Sequence, residues 1–397
     1  MSAGRERAEL ITRPLAAFFR LEAAGGLVLL VAAAIALVVA NTSFADSYSS
    51  FWERDFSFHV GHVRDLRGVV NDGLMTIFFL VVGLEIRREL SAGELSGIAR
   101  AALPIVAAVG GMIVPAFIYA VINPVGEASR GWGIPTATDI AFALAILTLF
   151  GRRVPQGLKV FILALAIADD VGAILVIALF YSSGTDLGWF LTAIGLCGVL
   201  AACRRRTISW GPYLILGLLL WFAISKSGIH PTIAGVVLAL FAPVGDDEGE
   251  IDPAVQFEQF LHPITTFLVV PLFALANAGV ALGGTALPDS AAIGVATGVA
   301  LGLVVGKLIG IVGASLLAIR FRLATLPSGV TTRQLIGGAA VAGIGFTVSL
   351  FITELAFVDP ALERAAKVGV LAGSLGAAVL GSLILVMGRT NQERAGG

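Results

Sequence analysis

The chain has 397 residues, of which 57% are hydrophobic and only 13% are charged, and its formal net charge is −1. A soluble domain carries about 25% charged residues, so this chain has too few of them to cover a water-exposed surface. The composition excludes a soluble globular protein, and the balanced charge gives no indication of a nucleic-acid partner.

Apolar runs long enough to cross about 30 Å of hydrocarbon recur along the whole chain. We predict an all-α polytopic membrane protein with twelve transmembrane helices. Most of the 26 Lys and Arg residues fall in the two tails and in the loops on the same side, so the positive-inside rule predicts that both termini are cytoplasmic. The predicted spans are 22–41, 69–86, 101–122, 132–150, 158–181, 187–203, 210–225, 229–243, 260–282, 291–318, 334–355 and 367–388.

The first outer loop contains the stretch "FSFHVGHV" at 56–63, in which apolar residues alternate with a period of two. This alternation is typical of a half-buried strand. We predict a short outer β-hairpin there, and its exposed edge is a surface on which a second copy of the chain could pair.

The fourth span, within "GWGIPTATDIAFALAIL", contains several residues that weaken a helix. Gly131, Gly133 and Pro135 precede Asp139, and a clean apolar helix follows. Pro and Thr just ahead of an Asp are typical of a helix start. We predict a broken helix whose second half begins near the middle of the membrane. The alternative is a Pro-kinked helix with Asp139 as an ordinary cap.

The eleventh span, "GGAAVAGIGFTVSLFIT", is predicted to be broken as well, because its glycines do not favour a continuous helix. The two broken spans are the second spans of two three-span units, about 101–181 and 291–388, which enter the membrane from opposite sides. Paired interrupted segments indicate an inverted-repeat transporter with a site at mid-membrane. We predict a single transporter domain over 1–397, in which 22–86 and 187–282 form an interface and oligomerisation part.

Ionisable side chains inside a span cost about 2.5–3.5 kcal/mol each, and the stretch "FILALAIADDVGAILVIALF" has two at its centre. Asp169 and Asp170 are adjacent, and successive helical residues point about 100° apart. We predict that one faces an ion cavity and the other a neighbouring helix. The alternative is a structural pair, with one acid protonated and the other in a salt bridge.

The tenth span, "GVATGVALGLVVGKLIGIVGAS", combines a glycine repeat of four residues with Lys307 at its middle. The repeat predicts a helix face against which another backbone packs closely. A lysine at that depth either pairs with a carboxylate or loses its proton. The alternative, in which Lys307 extends to the membrane surface, fits its central position poorly.

Three acids and one lysine at mid-membrane suit a small hard cation such as Na⁺ or Li⁺, which favours carboxylate, hydroxyl and carbonyl oxygen. If one carboxylate binds either Na⁺ or a proton and the site opens alternately to each side, exchange follows. An intramembrane aspartyl protease needs two facing acids about 3 Å apart, and a channel needs an open polar pore. We therefore predict a transporter rather than an enzyme. Na⁺-coupled solute uptake and K⁺/H⁺ exchange remain alternatives with the same fold.

Five stretches of the sequence form a recognisable pattern, namely "TATDIAFALAIL", "ALAIADDVGAILVIALFYS", "PLFALANAGV", "FFLVVGLEIRREL" and "KSGIHPTIAG". They resemble the bacterial NhaA family of sodium/proton antiporters, and the similarity runs from about residue 15 to 388. The resemblance implies an electrogenic Na⁺(Li⁺)/H⁺ antiporter of the inner membrane that works by alternating access in pH and sodium homeostasis. It implies no cofactor, and a homodimer through the outer hairpin.

The resemblance also implies roles for the buried polar residues. Asp170 is the main ligand of the Na⁺ or Li⁺ ion and of the proton, with Asp169 beside it. Asp169 pairs with Lys307 in one state, while Asp139 and Thr138 line the site and balance the ends of the crossed helices.

The resemblance also implies control by pH at five positions. Three of them, Glu85, Arg88 and His230, also have an ordinary structural interpretation. Glu85 and Arg88 form an i,i+3 pair, which is often structural and worth a few tenths of a kcal/mol. His230 has an equally good interpretation as an interfacial histidine. Gln259 stands where the family pattern has a second histidine. The five positions are Glu85, Arg88, Glu258, His262 and His230.

Overall fold

The fold was obtained as a computed structural model, which describes residues 2–60, 63–93, 95, 97–182, 186–203, 210–243, 252–283 and 289–387. These residues are mostly helical, with one small sheet of two strands. The prediction of an all-α polytopic membrane protein is confirmed at this level.

The helices follow one another with short connections, and we number them in chain order. They are α1 (Ser2–Val39), α2 (Ala45–Trp52), α3 (Leu66–Ser91), α4 (Ile98–Ile122), α5 (Ile140–Leu149), α6 (Gln156–Phe180), α7 (Leu187–Cys203), α8 (Trp210–Ser227), α9 (Ile233–Leu240), α10 (Pro253–Asn277), α11 (Ser290–Arg320), α12 (Thr332–Val341), α13 (Phe346–Ala356) and α14 (Pro360–Val386). A 3₁₀ helix, Glu127–Thr136, precedes α5. Single π-helical turns interrupt α3 at Val69–Leu74, α10 at Thr265–Val269 and α11 at Gly302–Gly306.

Each of the twelve predicted spans overlaps a helix or a pair of helices, although the bounds differ by several residues in places. Among the described residues, eight helices are long and apolar enough to cross a membrane, or up to ten if each bent pair counts as one span. The helix α9 has only 8 residues and is shorter than the usual minimum for a crossing, and α7, with 17 residues, is at the lower limit. The number of twelve crossings therefore stays a prediction.

The outer surface of the helices is apolar, as lipid contact requires. On α4, for example, Ile113, Phe117 and Val121 are 61%, 67% and 62% exposed and lie on one face. An apolar face of this length would promote aggregation of a soluble protein, but hydrocarbon covers it at no cost.

The predicted hairpin is present. Strand β1 (Asp55–Val60) pairs antiparallel with β2 (Val63–Asp65), and Asp55 lies opposite Asp65. The Asp65 carboxylate accepts a hydrogen bond of 2.7 Å from the Gly68 N–H, which caps the start of α3. We call this side of the molecule the hairpin end. The side at which α3 ends and α10 begins is called the opposite end.

Both predicted broken helices are confirmed, and they cross. The 3₁₀ helix and α5 are bent by 42° at their break, and α12 and α13 by 45°. The Asp139 N–H donates to the Ile344 carbonyl at 2.6 Å, and the Thr138 hydroxyl donates to the Ala342 carbonyl at 2.8 Å. Each break therefore satisfies backbone groups that the other leaves without a helical partner.

The predicted close packing of the glycine face is confirmed, because α11 lies directly against the backbone of α4. A Cβ atom added at Gly306 would lie 2.7 Å from the Pro115 Cα, and one at Gly302 would lie 3.4 Å from the Pro115 carbonyl oxygen. At Gly310 an added Cβ would collide with the Gly110 carbonyl. This contact fixes the position of Lys307, which lies on the same helix.

We predict that Gly306→Ala lowers the free energy of unfolding by about 1–3 kcal/mol, the usual cost of an extra methyl group in a packed interior. The matched control is Gly313→Ala on the same helix, where an added Cβ meets nothing within 4 Å. Denaturant unfolding of both purified variants in detergent measures the difference. Equal stability of the two variants would contradict the packing argument.

Candidate ion-binding site

The Asp139 carboxylate stabilises the N-termini of two half-helices at once. Its Oδ1 accepts a hydrogen bond of 3.0 Å from the Phe142 N–H at the start of α5. Its Oδ2 accepts from the Thr347 N–H at 3.1 Å and from the Thr347 hydroxyl at 2.6 Å, at the start of α13. Because helix N-termini carry partial positive charge, one buried anion offsets both. Asp139 therefore caps two helices, which goes beyond the role of a cap on a kinked helix.

We predict that Asp139→Ala lowers the free energy of unfolding by about 1–4 kcal/mol, because two N-caps are lost and each is worth about 0.5–2 kcal/mol. The control is Asp359→Ala, which removes the cap of α14 alone, a 2.8 Å bond to the Ala361 N–H at an exposed position. Denaturant unfolding should show the larger loss for Asp139→Ala. A loss no larger than that of the control would exclude double capping.

Lys307 is completely buried, and its ammonium group forms an ion pair with Asp169. The Nζ atom donates to the Asp169 Oδ2 at 2.6 Å and to the Thr138 Oγ1 at 2.9 Å. The side chain does not extend to the membrane surface. A buried charge of this kind is tolerated only with a partner of opposite charge and good geometry, and Asp169 supplies both.

We predict that Lys307→Met lowers the free energy of unfolding by about 3–5 kcal/mol, the cost of leaving one member of a buried ion pair alone. Adding Asp169→Asn to the same variant should restore most of this loss, because neither member of the former ion pair then remains charged without the other. Unfolding of the two single variants and the double variant forms a thermodynamic cycle. Strict additivity of the three values would contradict the coupling of Lys307 to Asp169.

Asp170 has a different environment from its neighbour. It is 4% exposed and faces a cavity whose deep end is also lined by Asp139, Thr138 and Thr347. In the described part of the chain the Asp170 carboxylate accepts no hydrogen bond. The 100° step along α6 thus directs Asp169 to Lys307 and Asp170 to the cavity.

The same cavity continues toward the opposite end of the molecule. Its walls come from α1, α3 and α10, and they include the apolar side chains of Leu29, Val82 and Val270. The polar side chains of Glu22, Glu85 and His262 line the part farther from Asp170. The cavity therefore joins the buried acids to a group of titratable residues near the opposite end.

Three of the predicted pH-control residues lie in one cluster there. The Arg88 guanidinium donates a hydrogen bond to the Glu258 carboxylate and lies 3.7 Å from Glu85 and 3.5 Å from Glu89. Glu85 and Glu258 are 6% and 3% exposed. The interaction of Glu85 with Arg88 along one helix is thus part of a contact between α3 and α10.

His262 is held by a residue that the sequence did not indicate. Its Nε2 lies 2.8 Å from the Oε1 of Glu22, which is 5% exposed on α1. Glu22 stands at the edge of the first apolar run, where a charge usually lies in the membrane surface. Only the approach of α1 to α10 reveals that it is buried, and no local pattern indicates this contact.

His230 is not brought to this cluster. It lies at the hairpin end, between α8 and α9, where its Nε2 is 3.5 Å from the Asp72 Oδ1 and its Nδ1 is 2.8 Å from the Thr232 hydroxyl. The five positions implied by the resemblance are therefore divided between the two ends of the molecule.

An aromatic layer separates the deep end of the cavity from the hairpin end. Phe351 lies one turn beyond Thr347 on α13, and its ring centroid is 5.3 Å from that of Phe79 and 6.2 Å from that of Phe273. All three phenylalanines are at most 3% exposed. Among the described residues, the cavity lining includes Glu22, Glu85 and His262 toward the opposite end and none of the side chains at the hairpin end.

Crossed broken helices around buried acids, in a bundle of apolar helices, define a polytopic membrane transporter. The family described as Na⁺/H⁺ antiporter 1 matches residues 16–385, and the chain belongs to it.

Curated relatives agree over nearly the whole length. They include the Na⁺/H⁺ antiporter NhaA of Mesorhizobium japonicum, 49% identical with 96% of each chain covered, and the Na⁺/H⁺ antiporter NhaA 2 of Pseudomonas syringae pv. syringae, 50% identical with 93% of each covered. NhaA of Janthinobacterium sp. is 45% identical, with 94% of this chain and 93% of the relative covered. The resemblance to the NhaA family is thereby confirmed. Members of this family are multi-pass transporters of the bacterial inner membrane rather than enzymes.

Proposed function

We propose that this chain exchanges Na⁺ or Li⁺ for protons across the bacterial inner membrane, with Asp170 as the carboxylate that holds either one. The proposal rests on the observation that the three buried acids have different contacts. Asp139 caps two helices and Asp169 is paired with Lys307. Asp170 faces the cavity and is the acid whose charge an incoming cation can neutralise.

The chemistry follows from competition for one buried carboxylate. Na⁺ and Li⁺ are hard ions that bind carboxylate and hydroxyl oxygen, and Thr138, Asp139 and Thr347 line the same deep end as Asp170. A buried carboxylate binds a proton more readily than one in water. If the site opens alternately to each side, release of one ion on binding of the other produces antiport without a cofactor.

Lys307 supplies the second step of this mechanism. In this structure its ammonium group holds Asp169 at 2.6 Å. When Asp169 turns to join Asp170 around a cation, the Lys307 ammonium group loses its counter-ion. Unequal movement of charge then makes the exchange electrogenic, with about 2.3 kcal/mol available per charge per 100 mV.

The arrangement of the chain in the membrane is part of the proposal. The units 101–181 and 291–388 form an inverted repeat, because each contributes one of the two crossed helices. The segments 22–86 and 187–282 form the interface part. With twelve crossings and both termini in the cytoplasm, the cavity opens to the cytoplasm.

Regulation by pH is proposed for the cluster near the cavity mouth. Glu85, Arg88 and Glu258 connect α3 to α10, and His262 connects α10 to α1. A change of protonation there alters contacts among the helices that line the route to Asp170. His230, with Asp72 as its neighbour, would act separately at the hairpin end. The predicted homodimer through the hairpin edge completes the proposal.

The test uses everted membrane vesicles energised by respiration, in which a pH-sensitive dye reports proton movement on addition of NaCl, LiCl or KCl between pH 6.5 and 8.5. We expect recovery of dye fluorescence with Na⁺ and Li⁺ in the wild type, and recovery at background level in Asp170→Asn. The matched control is Asp46→Asn, which makes the same chemical change at an exposed position on α2 and should behave as the wild type.

The other outcomes separate the alternatives. Recovery in Asp170→Asn equal to that in the wild type would show that another group holds the ion. Recovery with K⁺ as strong as with Na⁺ would indicate a general cation/proton exchanger. Absence of recovery with every salt, in vesicles that contain the wild-type protein, would direct the search to Na⁺-coupled solute uptake.

A further inference from the structure

A buried chain of polar side chains lies at the hairpin end, beyond the aromatic layer. The Lys367 Nζ is 2.8 Å from the Oε1 of Glu354. The Oε2 of the same carboxylate accepts a hydrogen bond from the Asn71 amide. The Asn71 Oδ1 in turn accepts a bond of 2.7 Å from the Asn277 Nδ2. Four residues on four different helices are thus connected in one series.

These groups are placed where polar side chains are expensive. Asn71, Asn277 and Lys367 are 8%, 1% and 6% exposed, and each lies on a helix that meets the criteria for a membrane span. Polar groups within a span are kept when they pair with each other and when they have a function. The ion site described above does not use these residues.

The chain of contacts connects the two parts of the proposed transporter. Asn71 on α3 and Asn277 on α10 belong to the segments assigned to the interface part. Glu354 on α13 and Lys367 on α14 belong to the repeat unit 291–388. The contact between the Asn71 amide and the Glu354 carboxylate therefore crosses from one part to the other, and the aromatic layer below it crosses between the same helices.

Glu354 connects the two halves of this series. Its two oxygens point to different partners, one to the Lys367 ammonium group within its own unit and one to the Asn71 amide across the boundary. A hydrogen bond from an amide to a carboxylate is stronger than one between neutral groups, yet it can break without separating the ion pair. Lys367 also has a second carboxylate, Glu363, at 2.7 Å on its own helix.

We propose that the Asn71–Glu354 contact is an outer latch, which keeps the hairpin end closed while the cavity is open at the opposite end. When the ion site opens toward the hairpin end, the latch parts. Glu354 then remains with Lys367, and Asn71 remains with Asn277. This inference rests on the proposed alternating access, and it assigns the closure of the hairpin end to specific polar groups.

The first test measures amide hydrogen exchange of the purified full-length protein in nanodiscs and does not require transport. Glu354→Leu removes the latch acceptor and leaves Lys367 with Glu363. Its matched control, Glu363→Leu, leaves Lys367 with Glu354 and the latch intact. We expect exchange at Val69–Leu74 and in the second half of α13 to become at least tenfold faster in Glu354→Leu, with wild-type rates in Glu363→Leu. Equal rates in the two variants would overturn the proposal.

The second test locks the latch in a background carrying Cys197→Ser and Cys203→Ser. Asn71→Cys with Glu354→Cys places one thiol on each side of the boundary, and a short bis-methanethiosulfonate reagent joins them. The control pair, Asn71→Cys with Asn277→Cys, joins two helices of the same part. Each cross-linked protein is compared with its own reduced form in the vesicle assay.

We expect cross-linking of the first pair to stop Na⁺-dependent exchange and reduction to restore it, while the control pair retains its reduced rate. Continued exchange in the cross-linked first pair would overturn the latch. If the wild type and all reduced variants exchange no cation, the proposed function fails instead, and the hydrogen-exchange comparison still decides whether Glu354 closes the hairpin end.

Discussion

The structure depends on one electrostatic constraint. The helices α5 and α13 both begin inside the membrane, and each has unpaired backbone N–H groups at its N-terminus there. Hydrocarbon provides no water to satisfy them. Asp139 does so for α5 and α13 together, and its cost of burial is offset by both positive helix ends. Because this single carboxylate holds the crossing in place, the adjacent Thr138 is fixed as well, and Thr138 receives a hydrogen bond from Lys307.

Around this crossing, the three acids differ in what they contact. The three carboxylates are chemically equivalent in the unfolded chain. In the fold one neutralises helix ends, one neutralises a lysine, and one faces the cavity. A transporter needs this division, because a site in which every acid is already paired has no reason to attract a cation, and a site with three unpaired acids would not be stable in a low-dielectric interior.

Much of this arrangement could be predicted from the sequence, and the limits have a physical cause. The interrupted spans, the hairpin and the separation of Asp169 from Asp170 follow from local patterns, namely helix-weakening residues, a period of two and a step of 100°. The partners of His262 and Glu354 did not follow, because Glu22 and Asn71 lie more than 200 residues away from them in sequence. Polar residues close to the end of an apolar run are usually at the membrane surface, so position alone does not reveal burial. The short helix α9 likewise shows that hydropathy predicts a segment better than its length.

The direct backbone contact between α4 and α11 has a mechanical consequence. Two helices separated by side chains can slide, because flexible side chains adjust, whereas the Gly310–Gly110 and Gly306–Pro115 contacts leave nothing to adjust. The two helices therefore form one rigid unit, and the Lys307 ammonium group is attached to this unit through four flexible methylene groups. Any separation of Lys307 from Asp169 must then come from rotation of one of these two side chains or from displacement of α6, and the packed pair of helices is the fixed reference for that motion.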